Sequence, residues 1–394
     1  MYQVIAFRQE YLLGSLRSYK MAETKIIALY LPQYHCIPEN DEFWGDGFTD
    51  WVTVRNAEPL FEGHHQPRVP LDNNYYDLSL KENVEWQSNL AYEYGIYGFG
   101  VYHYWFNNEK NLLTRPAEIM RDSNKIKTKY FLIWDNCNWK RSWSNVAGND
   151  WAPIADSHVA SKKGPQILIP YILGNESDWK NHYTYVRSHF LSDHYEKRGN
   201  KPVFGIIWHS KDIERMCRYW DTLAKEDGFD GICFVFKYDP YRFFPRNSYQ
   251  YNYEPHHTAW ANPSFMRRVY NRFLRCLHVN VENSNEVITY DYDQVWRRLI
   301  QSARKNTTPH VFDGAFVDYD DSPRRGCRHS RLLVGGTPEK FRGYLRQLID
   351  ISRTHHKEYI FLTAWNEWGE SAYLEPDEIN QFEYLQAIKD ALSN

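Results

Sequence analysis

The residues best suited to chemistry lie in one short stretch near the C-terminus. Residues 365–370 read Trp-Asn-Glu-Trp-Gly-Glu, so Glu367 and Glu370 are two carboxylates three positions apart, interleaved with Trp365 and Trp368. Two carboxylates can share the acid and base steps at a glycosidic bond, and indole rings offer sugars a flat apolar face. The stretch therefore predicts a carbohydrate site in which Glu367 and Glu370 are catalytic. The competing interpretation is a solvated pair of glutamates on the first turn of a helix.

This stretch follows a compact apolar run, residues 359–363, that has the length and composition of a buried strand. The same pattern recurs earlier in the chain. Residues 26–31 run into Gln33 and His35, residues 95–105 end in aromatic side chains, and residues 130–133 run into a cluster of Trp, Asn and Asp. Buried strands that end in polar residues are typical of the C-terminal rim of a parallel barrel.

Helical patterns alternate with these strands. Further strand patterns cover residues 201–208, 231–236 and 314–317, and helical patterns cover 79–94, 213–226, 293–304 and a helix that Thr337 caps and Pro338 begins. Repeated strand–helix units predict an α/β fold with parallel strands, and no glycine-rich nucleotide motif follows the first strand. We therefore predict a single (β/α)8 TIM barrel with long βα loops over residues 25–394. Residues 1–24 are predicted to form a poorly ordered N-terminal extension.

Composition narrows the possible partners. Aromatic residues make up 17% of the 394 residues, and carbohydrate-handling proteins are a common reason for such a share, although an aromatic core explains part of it. The formal net charge of −3 gives no reason to expect nucleic acid or an anionic membrane surface. The six cysteines form no C-x-x-C pair, which predicts a reducing, cytoplasmic compartment, no metal site and no cofactor. We find neither an export signal nor an apolar run of membrane-spanning length.

Several longer motifs, taken in order, resemble those of one family. They are residues 30–35 (Tyr-Leu-Pro-Gln-Tyr-His), 47–51 (Gly-Phe-Thr-Asp-Trp), 98–106, 134–139, 199–204, 322–326 (Ser-Pro-Arg-Arg-Gly), 337–341 and 364–370. Over most of its length the chain resembles the WbsX-like proteins, which are described as glycosyltransferases of lipopolysaccharide O-antigen or capsule assembly. Their barrel is similar to that of the endo-α-1,2-mannosidase glycoside hydrolases. The resemblance implies that Glu367 acts as a base toward a sugar 2-hydroxyl and Glu370 as the acid/base at the glycosidic oxygen.

The chain departs from the family's pattern at three acidic positions. In the third-strand motif Asp135 and Cys137 stand where Ala and Glu are usual, and Pro170 stands where a carboxylate is usual. Asp50 replaces a Glu, which is a mild change. The first two departures remove acids from the predicted sugar site and bear on substrate choice and activity. Asp135 offers a replacement carboxylate if the strand is still extended at positions 135 and 137.

We predict substrate contacts from side chains near the ends of the predicted strands. They are Tyr30, Gln33, His35, Trp44, Trp51, Tyr102, Tyr104, Trp105, Trp134, Asp135, Asn136, Asn138, Glu254, Asp318, Arg324, Trp365, Asn366 and Trp368. Core packing is the competing role for the tryptophans at positions 44, 51, 105 and 139. Arg324 and Arg325 suit bidentate binding of an acidic sugar or a pyrophosphate, and a solvated turn is the alternative. Glu254 is the candidate third carboxylate.

Other polar motifs give weaker signals. The histidine pairs at 256–257 and 355–356 lack a carboxylate at metal-ligand spacing, and Asp318-Tyr-Asp320 matches a D-x-D metal motif only by spelling. We predict an enzyme that forms or cleaves glycosidic bonds of a bacterial surface polysaccharide, with an oligosaccharide or polysaccharide as its substrate. The alternatives are a nucleotide-sugar-dependent glycosyltransferase and a catalytically silent glycan-binding homologue, which the loss of acids at positions 137 and 170 makes plausible.

Overall fold

Eight parallel strands form a closed barrel in the computed structural model, which describes residues 24–140, 167–239, 248–261, 287–327 and 330–393. The strands are β1 (Lys25–Tyr30), β2 (Gly98–Asn107), β3 (Lys129–Trp134), β4 (Lys201–Ile206), β5 (Cys233–Lys237), β6 (Tyr249–Tyr251), β7 (Val311–Phe316) and β8 (Tyr359–Thr363). Each strand pairs in parallel with the next, and β1 pairs with both β2 and β8, which closes the barrel. The predicted (β/α)8 barrel is confirmed. The predicted N-terminal extension lies outside the described residues apart from Thr24.

Helices lie between the strands and cover the barrel. They are α1 (Pro38–Trp44), α2 (Asp50–Arg55), α3 (Lys81–Glu93), α4 (Arg115–Asp122), α5 (Glu176–Phe190), α6 (Lys211–Glu226), α7 (Tyr292–Lys305), α8 (Ser322–Arg325), α9 (Pro338–Thr354) and α10 (Glu383–Leu392). The predicted start of α9 is confirmed: the Thr337 side chain accepts a hydrogen bond from the Lys340 amide at 3.3 Å, and Pro338 is the first helical residue. No helix in the described ranges is long and apolar enough to cross a membrane.

Small residues let the barrel interior fill with large side chains. A Cβ atom at Gly100 would lie 2.6 Å from Cδ1 of Ile133, and one at Gly205 would lie 2.7 Å from its Cγ1. Ile133 on β3 therefore occupies space that its two neighbouring strands leave free. Deeper in the barrel, the rings of Tyr251 and Phe361 stack with centroids 4.4 Å apart. Apolar burial of this kind holds the strands in place, and their C-terminal ends form a mouth from which the loops project.

Shorter elements extend the strand ends. Lys110–Leu112 pairs with β2 in antiparallel fashion, Lys197–Arg198 pairs with β4, and Trp139–Lys140 pairs with Ile167–Ile169. Ile288–Asp291 pairs with Arg331–Val334, and Asn366–Glu367 pairs with Ala372–Tyr373. Helical turns span Leu71–Asn73, His256–Ala261 and Trp368–Glu370. The last two elements belong to the loops after β6 and β8, which reach the mouth.

Candidate active site

The loop after β8 is tied to the end of β1 by Asn366. The side-chain oxygen of Asn366 accepts a hydrogen bond from the Leu31 amide at 2.8 Å, and its nitrogen donates to the Leu31 carbonyl at 3.0 Å. The Tyr34 hydroxyl donates to the Asn366 carbonyl at 2.8 Å and accepts from the Trp368 amide at 3.1 Å. These bonds fix the backbone on both sides of Glu367. The position of the carboxylate pair is therefore set by the closure of the barrel.

Glu367 and Glu370 are buried beside one arginine. Their relative exposures are 6% and 5%, so the interpretation of a solvated pair is wrong. Nη1 of Arg324, on α8, donates to Oε1 of Glu370 at 3.1 Å, and Nη2 donates to Oε1 of Glu367. Nη2 also lies 3.8 Å from Oδ2 of Asp50 on α2. One guanidinium therefore contacts three carboxyl groups that come from two loops.

Burial and charge act against each other in this group. Burial raises the pKa of Glu367 and of Glu370, and the Arg324 guanidinium opposes the rise. Burial likewise raises the pKa of Asp50, again against Arg324. Three neighbouring carboxyl groups cannot all ionise cheaply beside a single cation. The group can therefore hold one carboxyl protonated and another ionised at the same pH, which is what acid/base catalysis requires.

Tyrosines surround the pair. The charges of Glu367 and Glu370 contribute to raising the pKa of nearby phenols, after burial, which is the larger cause. These phenols belong to Tyr34, Tyr102, Tyr104, Tyr253 and Tyr319. Tyr102 and Tyr104 were predicted from the sequence, whereas Tyr34, Tyr253 and Tyr319 were not. Gln33, another predicted residue, donates to the Tyr104 hydroxyl at 2.9 Å and so lies beside these tyrosines.

Across the mouth, Asp135 and Lys237 form a looser polar group. β3 ends at Trp134, and beyond it the Cys137 thiol donates to Oδ1 of Asp135 at 3.1 Å, so these two side chains are in contact. Burial raises the pKa of Asp135 and lowers that of Lys237. The Lys237 ammonium lies 5.0 Å from the ring centroid of Trp208 and 5.2 Å from that of Tyr253. Sequence reasoning missed Lys237 and Trp208 because neither belongs to a recognisable motif.

Several residues predicted to contact substrate instead pack around the loop after β8. The Tyr30 hydroxyl donates to Gln87 at 2.6 Å, on the outer side of β1. Trp365 is fully buried, and Trp51 donates its Nε1–H to the Tyr76 carbonyl at 2.8 Å. Trp368 stacks on Tyr373 and donates its Nε1–H to Glu375 at 2.7 Å. The structure does not bring Tyr30 or Trp365 to the mouth, and the side chain of Asn366 is used by the Leu31 backbone.

A second set of residues predicted to contact substrate packs against α5 or forms hydrogen bonds to the backbone. Trp105 stacks on His182 of α5 with centroids 4.4 Å apart, and Trp134 donates its Nε1–H to the Trp105 carbonyl at 2.8 Å. Asn136 exchanges hydrogen bonds with the backbone of Trp208, and Asn138 accepts from the Tyr171 amide at 2.6 Å. Strand alternation explains Trp105, since Tyr102 and Tyr104 point inward and their neighbours on β2 point outward.

His35 and Trp44 lie in the loop after β1. His35 is buried, and burial lowers its pKa against the opposing charge of Asp77. Trp44 is half-buried and packs against Phe48 and Trp139, with ring centroids 5.4 and 6.0 Å apart. Neither residue contacts the carboxylate pair. Their roles in substrate binding stay predictions.

Glu254 does not join the pair. Its carboxylate accepts hydrogen bonds from the amide and the hydroxyl of Thr258, at 2.9 and 2.6 Å, at the start of the helical turn that follows. Burial raises the pKa of Glu254 to about 8, and the charge of Asp313 adds to the rise. The neighbouring Tyr253 faces the mouth, so the residue predicted from the sequence lies one position after the one that reaches the site.

Both aspartates of the D-x-D sequence have hydrogen-bond partners within the protein. Asp318 accepts from Arg68 Nη2 at 3.2 Å, and one oxygen of Asp320 contacts both His64 Nε2 and Gln66 Nε2 at 2.7 Å. Within the described parts of the chain, no group of three or more His, Cys, Asp or Glu side chains is arranged to hold a metal ion. The five described cysteines are free thiols. Cys276 lies outside the described residues.

Fold and site define a class of protein. The chain is a (β/α)8 barrel with buried carboxylates at the C-terminal ends of its strands, where barrels of this kind carry their active sites. It belongs to the family described as Glycosyltransferase WbsX, whose sequence model matches residues 26–388. A relative described as "Uncharacterized protein WxcX", from Xanthomonas campestris pv. campestris (strain B100), is 27% identical over 378 residues. That match covers 93% of this chain and 49% of the relative, so the chain spans about half the length of the curated relatives it matches.

Solved structures support the same fold. The GH99 endo-alpha-mannosidase from Bacteroides thetaiotaomicron superposes with a TM-score of 0.52 at 12% identity, over 93% of this chain and 96% of that chain. A structure described as a glycoside hydrolase-like protein gives a TM-score of 0.54 at 10% identity, covering 94% of each chain. At these identities the likeness establishes the barrel fold alone. The family resemblance expected from the sequence motifs is confirmed.

Proposed function

We propose that the chain is an enzyme that forms or cleaves glycosidic bonds by acid/base catalysis at Glu367 and Glu370. The observation that supports this most directly is the buried carboxylate pair bridged by Arg324. A pair that shares a cation in a buried site can keep one carboxyl protonated while the other is ionised. The tyrosine wall beside the pair offers phenol rings and hydroxyl groups that suit a sugar. Tyr102, Tyr104 and Tyr253 are the residues we assign to that wall.

The two carboxyls take different roles in this proposal. Glu370 in its protonated form gives its proton to the glycosidic oxygen as the bond breaks. Glu367 in its ionised form takes a proton from a hydroxyl, which belongs to the sugar or to the incoming acceptor. Where the hydroxyl belongs to the acceptor, its oxygen bonds to the anomeric carbon as the leaving group departs, and proton exchange with solvent restores both glutamates. Where it belongs to the sugar, its oxygen closes a ring onto the anomeric carbon. The acceptor then opens that ring, Glu367 returns its proton to the sugar oxygen and Glu370 takes the proton of the acceptor. Hydrolysis and transfer differ only in whether the acceptor is water or a sugar.

The substrate we propose is an oligosaccharide or polysaccharide of a bacterial cell surface, handled in the cytoplasm. The family to which the chain belongs supports a glycan substrate, and the GH99 endo-alpha-mannosidase is a glycan-cleaving protein on the same fold. The free thiols at the five described cysteines are compatible with a reducing compartment. Asp135 and Lys237 lie across the mouth from the pair and are placed to contact a sugar unit beyond the reacting bond.

A nucleotide-sugar-dependent reaction has less support from the site. Arg324 and Arg325 were the candidates for binding a pyrophosphate, but the Arg324 guanidinium contacts Glu367, Glu370 and Asp50. Arg325 pairs with Asp321 at 2.9 Å. A phosphate at Arg324 would have to displace carboxylates of the same charge sign. Because Arg324 is buried, the interpretation of a solvated turn is also wrong for this residue. A catalytically silent glycan-binding protein is the other alternative.

The experiment that tests the proposal compares glutamine variants of buried glutamates. Glu370→Gln keeps the side-chain shape but removes a titratable proton, so we expect turnover to fall by about 10² or more, with binding retained. Glu367→Gln is expected to behave in the same way. The readout is mass spectrometry of products from a library of bacterial surface oligosaccharides, with and without nucleotide sugars.

The matched control is Glu196→Gln. Glu196 is also buried, but it accepts hydrogen bonds from Tyr97, Tyr359 and Lys25 at the N-terminal ends of the strands. Its loss should change stability and leave the product pattern unchanged. Full turnover in Glu370→Gln would remove Glu370 from the mechanism. Products that appear only with a nucleotide sugar would favour the transferase alternative, and binding without any product would favour the silent one.

A further inference from the structure

Gly369, between the two glutamates, lies directly against the guanidinium of Arg324. A Cβ atom at Gly369 would lie 2.6 Å from Nε, 3.1 Å from Nη2 and 3.2 Å from Cζ of Arg324. The backbone of Gly369 is not in the positive-φ region, so its conformation does not demand glycine. The close approach of the guanidinium is what demands it. No other residue fits here unless Arg324 moves.

The guanidinium is thus confined on several sides. Gly369 covers one part of it, Glu367 and Glu370 accept from its two terminal nitrogens, and Asp50 lies 3.8 Å from Nη2. Arginine presents its donors in a rigid plane, so a confined guanidinium also fixes the carboxylates that it contacts. Neither glutamate can rotate freely while both are bonded to the same group.

We propose that Arg324 is a positioning residue that orients both carboxylates and favours their ionised forms, and that Gly369 is the residue that lets it approach. This inference rests on the proposed function of the glutamate pair. Nη2 contacts Glu367 and Nη1 contacts Glu370 at 3.1 Å, so the cation stabilises the ionised form of either group. Because Arg324 contacts three acids at once, its single charge cannot compensate all of them, and one carboxyl is left to hold a proton.

Other charged groups also face the pair, and they act together with Arg324. The Arg325 and Arg331 charges favour the ionised form of Glu370, and Asp50 disfavours it. Titratable phenols from β2 and from the loops after β1, β6 and β7 complete the surroundings, and they belong to Tyr34, Tyr102, Tyr104, Tyr253 and Tyr319. Arg324 is the cation in direct contact with both carboxylates. Its removal should therefore move both carboxyl titrations in one direction, toward higher pH.

The first test is the pH dependence of turnover in Arg324→Gln and Arg324→Lys. Without the guanidinium both carboxyls are harder to ionise, so both limbs of the pH–rate profile should move to higher pH by about one to three units. Lysine keeps a charge but lacks the planar pair of donors, so its shift should be smaller. A lower rate with an unchanged profile in both variants would overturn the proposal.

Gly369→Ala provides a test that removes no ionisable group. The new methyl group should push the guanidinium away from Glu367 and Glu370, and we expect a shift of the profile in the same direction as in Arg324→Gln, but smaller. This variant also serves if Arg324→Gln fails to fold. An Ala variant with wild-type kcat, KM and pH profile would show that the close approach of Arg324 does not matter.

Direct titration separates this inference from the proposed function. In protein labelled with ¹³C at the glutamate carboxyl carbon, the Glu367 and Glu370 signals are identified by their loss in the Gln variants. We expect both signals to titrate at higher pH in Arg324→Gln than in the wild type. Arg198→Gln is the control, because it removes an arginine–glutamate pair to Glu358 at 2.6 Å at the other end of the barrel.

The two proposals can then fail separately. Shifted carboxyl signals combined with full activity of Glu370→Gln would support the positioning role and reject the catalytic one. Unshifted signals combined with an inactive Glu370→Gln would reject the positioning role and keep the catalytic one. A shift of the same size in Arg198→Gln would also reject the positioning role, because the effect would then not depend on contact.

Discussion

On the β8 side of the barrel mouth, Arg324 contacts Glu367, Glu370 and Asp50, whereas on the β5 side Lys237 contacts ring faces. Within the part of the chain that the structure describes, no carboxylate lies within ion-pairing distance of the Lys237 ammonium. The first group is held by direct hydrogen bonds to Arg324, whereas Lys237 in the second group contacts the rings of Trp208 and Tyr253. Under the proposed function, the β8 side carries the chemistry and the β5 side is where different sugars would be accommodated.

The largest difference between the two sides is expected when Arg324 and Lys237 are each replaced. Arg324→Met leaves buried carboxylates uncompensated, and we expect the free energy of unfolding at neutral pH to fall by about 3–5 kcal/mol. Lys237→Met removes cation–π contacts of roughly 0.5–1 kcal/mol but also the cost of burying a charge, so the net change should stay within about 1 kcal/mol. Urea denaturation of both variants is the measurement. Equal losses would contradict the comparison.

The pH dependence of the Arg324→Met loss follows from the carboxyl titrations. Without the arginine, burial holds the folded-state pKa of Glu367 and Glu370 above the ordinary value of about 4.3, so the unfolded state ionises first as the pH rises. Both pKa values are already raised in the wild type, that of Glu367 to about 8, and removing Arg324 raises them further. The loss caused by the substitution therefore grows as the pH rises through the wild-type pKa values and shrinks as the pH falls below them. A loss that stays constant between pH 4 and about pH 10 would show that packing, rather than charge, is responsible.

A smaller effect is expected at Asn366, which joins the β8 loop to β1. Asn366→Ala leaves the Leu31 amide and carbonyl without partners, and we expect a loss of about 2 kcal/mol in the free energy of unfolding. Asn200→Ala is the control, because it removes a single exposed bond to the Gly228 carbonyl at 2.9 Å and should cost less. If Asn366 instead bound substrate directly, KM would rise without a change in stability.

The smallest effect should come at Cys137, in the loop after β3. The thiol already lies against Asp135, so Cys137→Glu would place a second carboxyl beside the first, with Lys237 near enough to compensate in part. One of the two carboxyls should then take up a proton near neutral pH, which reduces activity on the acidic side of the profile.

Cys137→Gln and Asp135→Asn are the controls for this change, measured against the same oligosaccharide library. Glutamine has the size of glutamate without its charge, so it isolates the electrostatic part of the effect. Turnover or binding that rises in Cys137→Glu would mean that the missing family carboxylate is the limiting feature of this site. Unchanged behaviour in all three variants would exclude residues 134–139 from the sugar site.

The sequence predicted the barrel and the position of the glutamate pair because both have local signals. An apolar strand followed by a polar cluster is visible within about a dozen residues, and Thr337 and Pro338 mark a helix start directly. The role of Arg324 was not visible, because its partners lie 43 and 46 residues further along the chain. Two adjacent arginines after a proline look like a solvated turn until the fold buries one of them.

The errors of register have a different cause. Along a strand, neighbouring side chains face opposite sides, so a one-residue uncertainty exchanges a site residue for a packing residue. Tyr253 and Glu254 illustrate this, since the tyrosine reaches the mouth and the glutamate bonds to Thr258. Trp105 and Trp134 were placed in the site by residue type, but their rings pack against His182 of α5.

The bond between Asn366 and Leu31 also has a consequence for the growing chain. The two residues are 335 positions apart, so strands near the N-terminus leave the ribosome long before their partner is made. Until β8 is synthesised, β1 has an open edge on that side, and edges of this kind invite wrong pairing. The carboxylate pair is assembled in the same event that closes the barrel. A nascent chain therefore lacks the proposed acid/base site until β8 is in place.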